Sequence, residues 1–269
     1  MAKLSRIPLL LSFTWELFIM RNTMMRTTIK QRAVIWLGLL MMSLPVTARQ
    51  AATLPQATEQ KINDISQMLR DNPQVVDDLH ESLQRYVHQQ NQFDAVLKQH
   101  HDYIYNNPDQ PSYGAKQPKL TIAFFTDYSC PWCKKLTPVL QQLADKYPEL
   151  KVVDILVPLK EINSDENSAS YALNTWQNQP TKFAQVSELL VNKPGSHNPG
   201  SLLRVAKKTD TRQQLEPQDK THQQVTKNYQ LFAQLGLQGT PAMLIGDQVI
   251  PGYLPIEKLE PIIQAQLAK

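Results

Sequence analysis

The stretch that most constrains this chain is "LTIAFFTDYSCPWCKKL", Leu120 to Leu136. Its opening, Leu120 to Phe125, is a short, mostly apolar run of the kind that forms a strand buried on both faces. Lys134 to Lys146 has helical character. Between them stand Cys130 and Cys133, the only two cysteines in 269 residues. A strand that delivers two thiols to the start of a helix leaves three readings. The pair could be half of a zinc site, a structural staple or a redox couple.

The compartment narrows the choice. Arg26, Lys30 and Arg32, the apolar run Ala33 to Leu44, and Val46-Thr47-Ala48 have the layout of a secretory signal peptide cleaved near Ala48. The segment Leu4 to Met20 is an unusual prefix to such a signal, so the expected start is Met20, Met24 or Met25. An apolar run this short is a poor membrane span. The formal charge of +4 comes from this leader, since residues 1–48 carry six Lys/Arg and one acid, leaving 22 bases against 23 acids. Nothing basic remains to bind nucleic acid. Export places the mature chain in the periplasm, where disulfides persist.

Zinc needs four ligands, and one CxxC supplies two. His197 and His222 are far apart in sequence, and His100-His101 falls on a helix, so no metal site is expected. A disulfide across so few residues closes almost no loop and stabilises little. A redox pair fits better. Cys130 at a helix start lies by unpaired N–H groups and the positive end of the helix dipole, which lower a thiol pKa. Pro131 suits the first helical turn. Cys133, one turn further in, is placed to resolve a mixed disulfide on Cys130. Trp132 completes the intervening dipeptide. Lys134 and Lys135 either add positive potential or form a solvated face. Asp127 either tunes the site or caps the helix. Asp154, in "KVVDILV", is either a buried acid that relays protons from Cys133 or an exposed edge residue.

The remaining chain reads as β-α-β, a helical insert at about 160–235, then β-β-α. Lys151 to Val157 is the second strand, Ala242 to Ile245 and Gln248 to Gly252 form a hairpin around Gly246-Asp247, and Pro255 to Ala268 is the last helix. Before the catalytic region (119–269) come a helical segment (49–107) and a Pro- and Asn-rich linker (108–118). Thr58 can cap a first helix bearing Ile62, Ile65 and Leu69, which Asn72-Pro73 ends. A second helix is expected from Pro73 to Asn107, roughly 50 Å long at about 1.5 Å per residue. Its seam is Val76, Leu79, Leu83, Tyr86, Gln90, Phe93, Leu97, His100 and Ile104. That spacing is a heptad pattern, so self-association is expected, with packing against the chain's own catalytic region as the alternative.

Thr240-Pro241 stands just before the hairpin. A cis Pro241 facing the cysteines would leave the Thr240 backbone free to pair with an extended client peptide. With "FFTDYSCPWCKK" leading β-α-β and "GTPA" leading the hairpin, Lys61 to Leu267 resembles the DsbA-like thiol-disulfide oxidoreductases, an α/β thioredoxin fold with a helical insertion. "LRDNPQVVDDLHESLQ" is similar to the ScsC-type subgroup, whose N-terminal segments form oligomers. The resemblance implies Cys130 as nucleophile, Cys133 as resolver and Pro241 as the cis proline, with no cofactor beyond the redox-active Cys130–Cys133 disulfide. DsbA itself has His between its cysteines and a buried acid in the preceding strand, where this chain has Trp132 and Phe124. Those departures, and threonine before the proline, point to a periplasmic disulfide isomerase. Its partners would be exported cysteine-containing clients and a membrane thiol reductase of the DsbD kind. The alternatives are a DsbA-like oxidase recharged by a quinone-linked partner, a Cu(I)-holding dithiolate of copper tolerance, and a chaperone that grips clients through its helices.

Overall fold

Strand β2 (Leu120–Thr126) is the central strand of the sheet. It lies in a five-stranded sheet with β1 (Ser112–Gly114), β3 (Leu150–Leu156), β4 (Ala242–Ile245) and β5 (Gln248–Pro251), in the order β1-β3-β2-β4-β5. β2 pairs parallel with β3, Phe124 opposite Asp154, and antiparallel with β4, Phe124 opposite Met243. β1 and β5 are antiparallel edges. This arrangement is described by a computed structural model covering residues 54–269 except Asp165 and Asp247; the expected signal peptide lies outside the described residues.

Alternate residues of β2 face opposite layers, as the two-residue period of a strand requires. Ile122 and Phe124 pack with Leu136, Leu140 and Leu143 of helix α4 (Pro131–Lys146) and with Leu259 and Ile263 of α9 (Ile256–Leu267). Ala123 and Phe125 pack with Leu231, Phe232 and Leu235 at the end of α8 (Asp219–Gln234). Being covered on both faces is why β2 reads as a continuous apolar run rather than an alternating one. Between β3 and β4 the insert comprises α5 (Ser168–Asn178), α6 (Pro180–Asn192), α7 (Pro199–Thr209) and α8. Tyr171, Leu173, Val186, Leu190 and Leu202 form its own core, which meets the sheet at Leu156.

The stretch 108–118 is not a linker. β1 pairs there with β3, and Pro111 O accepts the Asp154 N–H at 2.8 Å. The Gln110 amide, almost fully buried, donates to Asn228 Oδ1 at 2.6 Å, and Trp176 donates to Pro108 O at 2.9 Å. Its composition resembles a linker's, but its backbone and amide groups are held by the domain.

The long helix is also interrupted. After a 3-10 turn at Pro73–Val75, α2 spans Val76–Gln99, and His100 (φ −107°, ψ 13°) separates it from the short α3 (His101–Tyr105). The expected seam divides within α2, between Tyr86 and Phe93. Val76, Leu79, Leu83 and Tyr86 are exposed, whereas Phe93, Leu97 and the fully buried Ile104 join the core beneath β2. The C-terminal half of the stripe therefore has a partner within its own domain. Residues 54–72 belong to a separate unit whose helix α1 (Gln56–Asp71) starts two residues before Thr58, with Pro55 as N-cap and Asn72 as C-cap. Ile62, Ile65 and Met68 are exposed on α1.

Candidate active site

β2 ends at Thr126, and four residues later Cys130 is the N-cap of α4, with extended backbone (φ −87°, ψ 122°) and Pro131 in the first turn. The Cys130 N–H donates to Asp127 O at 3.0 Å, which closes the turn. Both thiols are free. The Cys130 sulfur receives the Cys133 thiol, the N–H groups of Cys133 and Trp132 and the Thr240 side chain. Together these hold its pKa down to about 5, although burial acts in the opposite direction. Cys133 is 1% exposed. Burial, then the neighbouring Cys130 with its hydrogen bond and charge, push the Cys133 thiol far above its usual range. One CxxC thus contains a thiol that ionises readily and one that holds its proton.

The Thr240-Pro241 peptide is cis. It lies across from the first thiol, with Thr240 O 3.2 Å from Cys130 Sγ. The Gly252 N–H donates to Pro241 O at 2.8 Å and ties this loop to the end of β5. Trp132 is 51% exposed, its ring 5.7 Å from that of Tyr253, with Lys135 Nζ 4.5 Å above it. Lys135 therefore covers the indole. Lys134 turns the other way and donates to Lys193 O and, at 2.8 Å, to Gly195 O, drawing the α6–α7 loop against α4.

Asp127 does not cap α4. Its carboxylate accepts the Ser129 N–H at 2.7 Å and the Lys160 N–H at 3.0 Å, bridging the cysteine turn to the loop after β3. Burial raises its pKa to about 6. Asp154 is buried, not exposed at an edge. Burial raises its pKa to about 7, and Oδ1 has no partner among the described residues. The groups that feel its charge are the hydroxyls of Tyr113 and Tyr128.

Sequence reasoning missed a second polar layer. Glu161, buried, accepts the hydroxyls of Ser129 (2.5 Å) and Ser168 (2.6 Å) and the Ser168 N–H (2.8 Å). The His197 N–H donates to Ser129 Oγ at 2.8 Å, and its ring lies 3.0 Å from Leu190 O. Burial lowers the His197 pKa to about 4. No spacing rule links Ser129, Glu161 and His197; only the fold brings them together. His222 lies elsewhere, lining a groove of about 430 Å³ with His100. No group of three or more His, Cys, Asp or Glu among the described residues is placed to hold a metal ion.

The family model for thioredoxin matches residues 106–265. Among solved structures, the chain is similar to the catalytic domain of Proteus mirabilis ScsC, at 34% identity over 65% of this chain and 98% of that one, TM-score 0.61. It is similar to a periplasmic thioredoxin-like protein from Salmonella enterica serovar Typhimurium, at 37% identity over 63% and 96%, TM-score 0.59. It is also similar to Proteus mirabilis ScsC in a compact conformation, at 32% identity over 78% and 98%, TM-score 0.62. No curated protein matches the chain.

Proposed function

This chain belongs to the thioredoxin family, alongside ScsC and other DsbA-like thiol-disulfide oxidoreductases, and from that we propose that it is a periplasmic protein-disulfide isomerase. The observation that carries the exchange chemistry is the contrast between the two thiols: Cys130 held near pKa 5 at a helix start, and Cys133 buried and protonated beside it.

The Cys130 thiolate attacks one sulfur of a client disulfide. A bond forms between Cys130 Sγ and that sulfur as the client S–S bond breaks, and the electron pair leaves on the second client sulfur as a thiolate. If that thiolate, or another client thiolate, attacks the mixed disulfide, Cys130 is released unchanged and the client has reshuffled. If Cys133 gives up its proton and attacks instead, the client leaves reduced and the Cys130–Cys133 disulfide forms. A thiol reductant, such as a membrane reductase of the DsbD kind, then restores the dithiol. The half-buried Thr240 backbone, 3.2 Å from the attacking sulfur, offers an extended client strand its register.

Reshuffling rather than net oxidation is supported by Phe124, an apolar residue in the strand before the cysteines, and by exposed apolar side chains on α1 and α2 suited to self-association. Paired catalytic domains can hold a misfolded client through several exchanges. Export is supported by the signal-like leader in the sequence and by the periplasmic description of the Salmonella relative. The oxidase reading has one observation in its favour: a thiolate stabilised to about pKa 5 also stabilises the dithiol and makes the disulfide more oxidising. Refolding of scrambled ribonuclease separates the readings. Isomerisation that requires reduced Cys130 supports the proposal; isomerisation that survives Cys130→Ala removes it. A pair found oxidised in the cell would favour the oxidase.

A further inference from the structure

Ser129 carries no part of the exchange, yet it is one of the most tightly held residues of the site. It is buried, and its N–H and its hydroxyl, as both donor and acceptor, are engaged. Its N–H donates to Asp127 Oδ1 (2.7 Å), its hydroxyl donates to Glu161 Oε1 (2.5 Å), and its Oγ accepts the His197 N–H (2.8 Å). Each bond reaches a different stretch: the turn itself, the loop after β3 and the α6–α7 loop. The turn from Asp127 to Ser129 contains neither glycine nor proline; the Asp127 carboxylate on the Ser129 N–H and the Cys130 N–H on Asp127 O close it locally, and the Ser129 hydroxyl ties it to the loops around it.

Glu161 looks misplaced electrostatically. A carboxylate near a site that develops a thiolate opposes that charge. Its three donors, the Ser129 and Ser168 hydroxyls and the Ser168 N–H at the start of α5, make it a geometric part instead. One oxygen holds both hydroxyls and the other holds the backbone, so the carboxylate locks the cysteine turn to the insert. Asp127 repeats the connection through the Lys160 N–H. The cation in this set, Lys134, is spent on the carbonyls of Lys193 and Gly195.

We infer that Ser129, locked by Glu161, is a positioning residue for the attacking sulfur: its hydroxyl fixes the turn that sets Cys130 Sγ beneath the N–H groups of Trp132 and Cys133. The inference rests on the redox reading of Cys130. Hydrogen bonds to a thiolate weaken steeply with misalignment, so loosening the turn costs the thiolate more than it costs the fold.

The test is thiolate absorbance against pH for the full chain, with the pH profile of attack on a small-molecule disulfide as second readout. Ser129→Ala should raise the Cys130 pKa by about half a unit, roughly threefold in ionisation constant, and slow attack at pH 5, where about half of Cys130 is ionised, about twofold. Ser129→Thr, which keeps the hydroxyl, should restore both. Glu161→Gln separates geometry from charge. Its amide cannot accept from every donor that the carboxylate satisfies, so a positioning role raises the Cys130 pKa, whereas removing a negative charge alone would lower it. Thermal melts identify a variant that fails to fold, and Ser129→Thr and Glu161→Gln then carry the test. A folded Ser129→Ala with an unmoved thiol, or a lowered pKa in Glu161→Gln, overturns the brace. A wild-type Cys130 that titrates near 9 would instead overturn the redox reading beneath it.

Discussion

Replacing Asp154 with Asn should stabilise the protein at neutral pH and leave it almost unchanged in acid. Asp154 sits in β3 opposite Phe124, buried, with Oδ1 unpartnered among the described residues. Burial raises its pKa from 3.8 to about 7. The unfolded chain therefore releases this proton near pH 4, while the folded chain keeps it to about 7. Stability is unaffected below pH 4, falls as pH rises through the window from about 4 to about 7, and is then level. The span from 3.8 to about 7, at about 1.4 kcal/mol per pH unit, gives a penalty of about 4 kcal/mol above pH 7. Relaxation and water penetration lower this toward about 2 kcal/mol. Asn keeps the shape and cannot ionise. Asp127, whose pKa burial also raises, adds the same sign of slope but is common to both proteins and cancels in the difference. Urea unfolding of both forms, reduced, at pH 4 and pH 8 measures the effect. The variant should gain about 2 to 4 kcal/mol at pH 8 and under about 0.5 kcal/mol at pH 4. An equal difference at the two pH values, or a loss at pH 8, would refute the assignment of Asp154 as a buried, largely unpaired acid.

Other consequences are direct. Ile104→Ala, which empties a fully buried position under β2, should cost about 2 to 5 kcal/mol in urea unfolding, because α3 belongs to the catalytic domain; an effect below about 1 kcal/mol would detach it. Removing residues through Asn72 should leave the melting temperature of the remaining domain unchanged, whereas removal through Pro118 takes away Ile104, Gln110 and β1 and should unfold it or lower its melting temperature by well over 10 °C. Cys133→Ala should accumulate client mixed disulfides on non-reducing gels, and Cys130→Ala should accumulate none; the reverse pattern would exchange the two roles.

How much of this was legible depends on whether the signal was local. Phe124 and Phe125 announce a doubly covered strand because they and their neighbours leave no polar face. The Cys130-Pro131 step carries its own helix start, and Thr240-Pro241 marks its loop by the chemistry of proline. β1 was hidden because Pro111 and its neighbours have the composition of a linker while their partners, Asp154 and Leu150, lie far along the chain. The heptad seam was legible as an apolar stripe, but a stripe does not name its partner; Phe93, Leu97 and Ile104 turn to β2 and α8, while Leu79 and Leu83 do not. Ser129, Glu161 and His197 were invisible for the strongest reason. Each is unremarkable alone, and only the insert, folded back on the cysteine turn, makes them one network.

The most direct test of the central claim is alkylation of the reduced full-length protein across pH, with each cysteine read separately by peptide mass. Modification of Cys130 should follow a titration with midpoint near pH 5, and Cys133 should stay protected throughout. Two cysteines that react alike and rise together toward pH 8 to 9, as unperturbed thiols do at about 8.5, or a Cys133 that reacts before Cys130, would contradict the account.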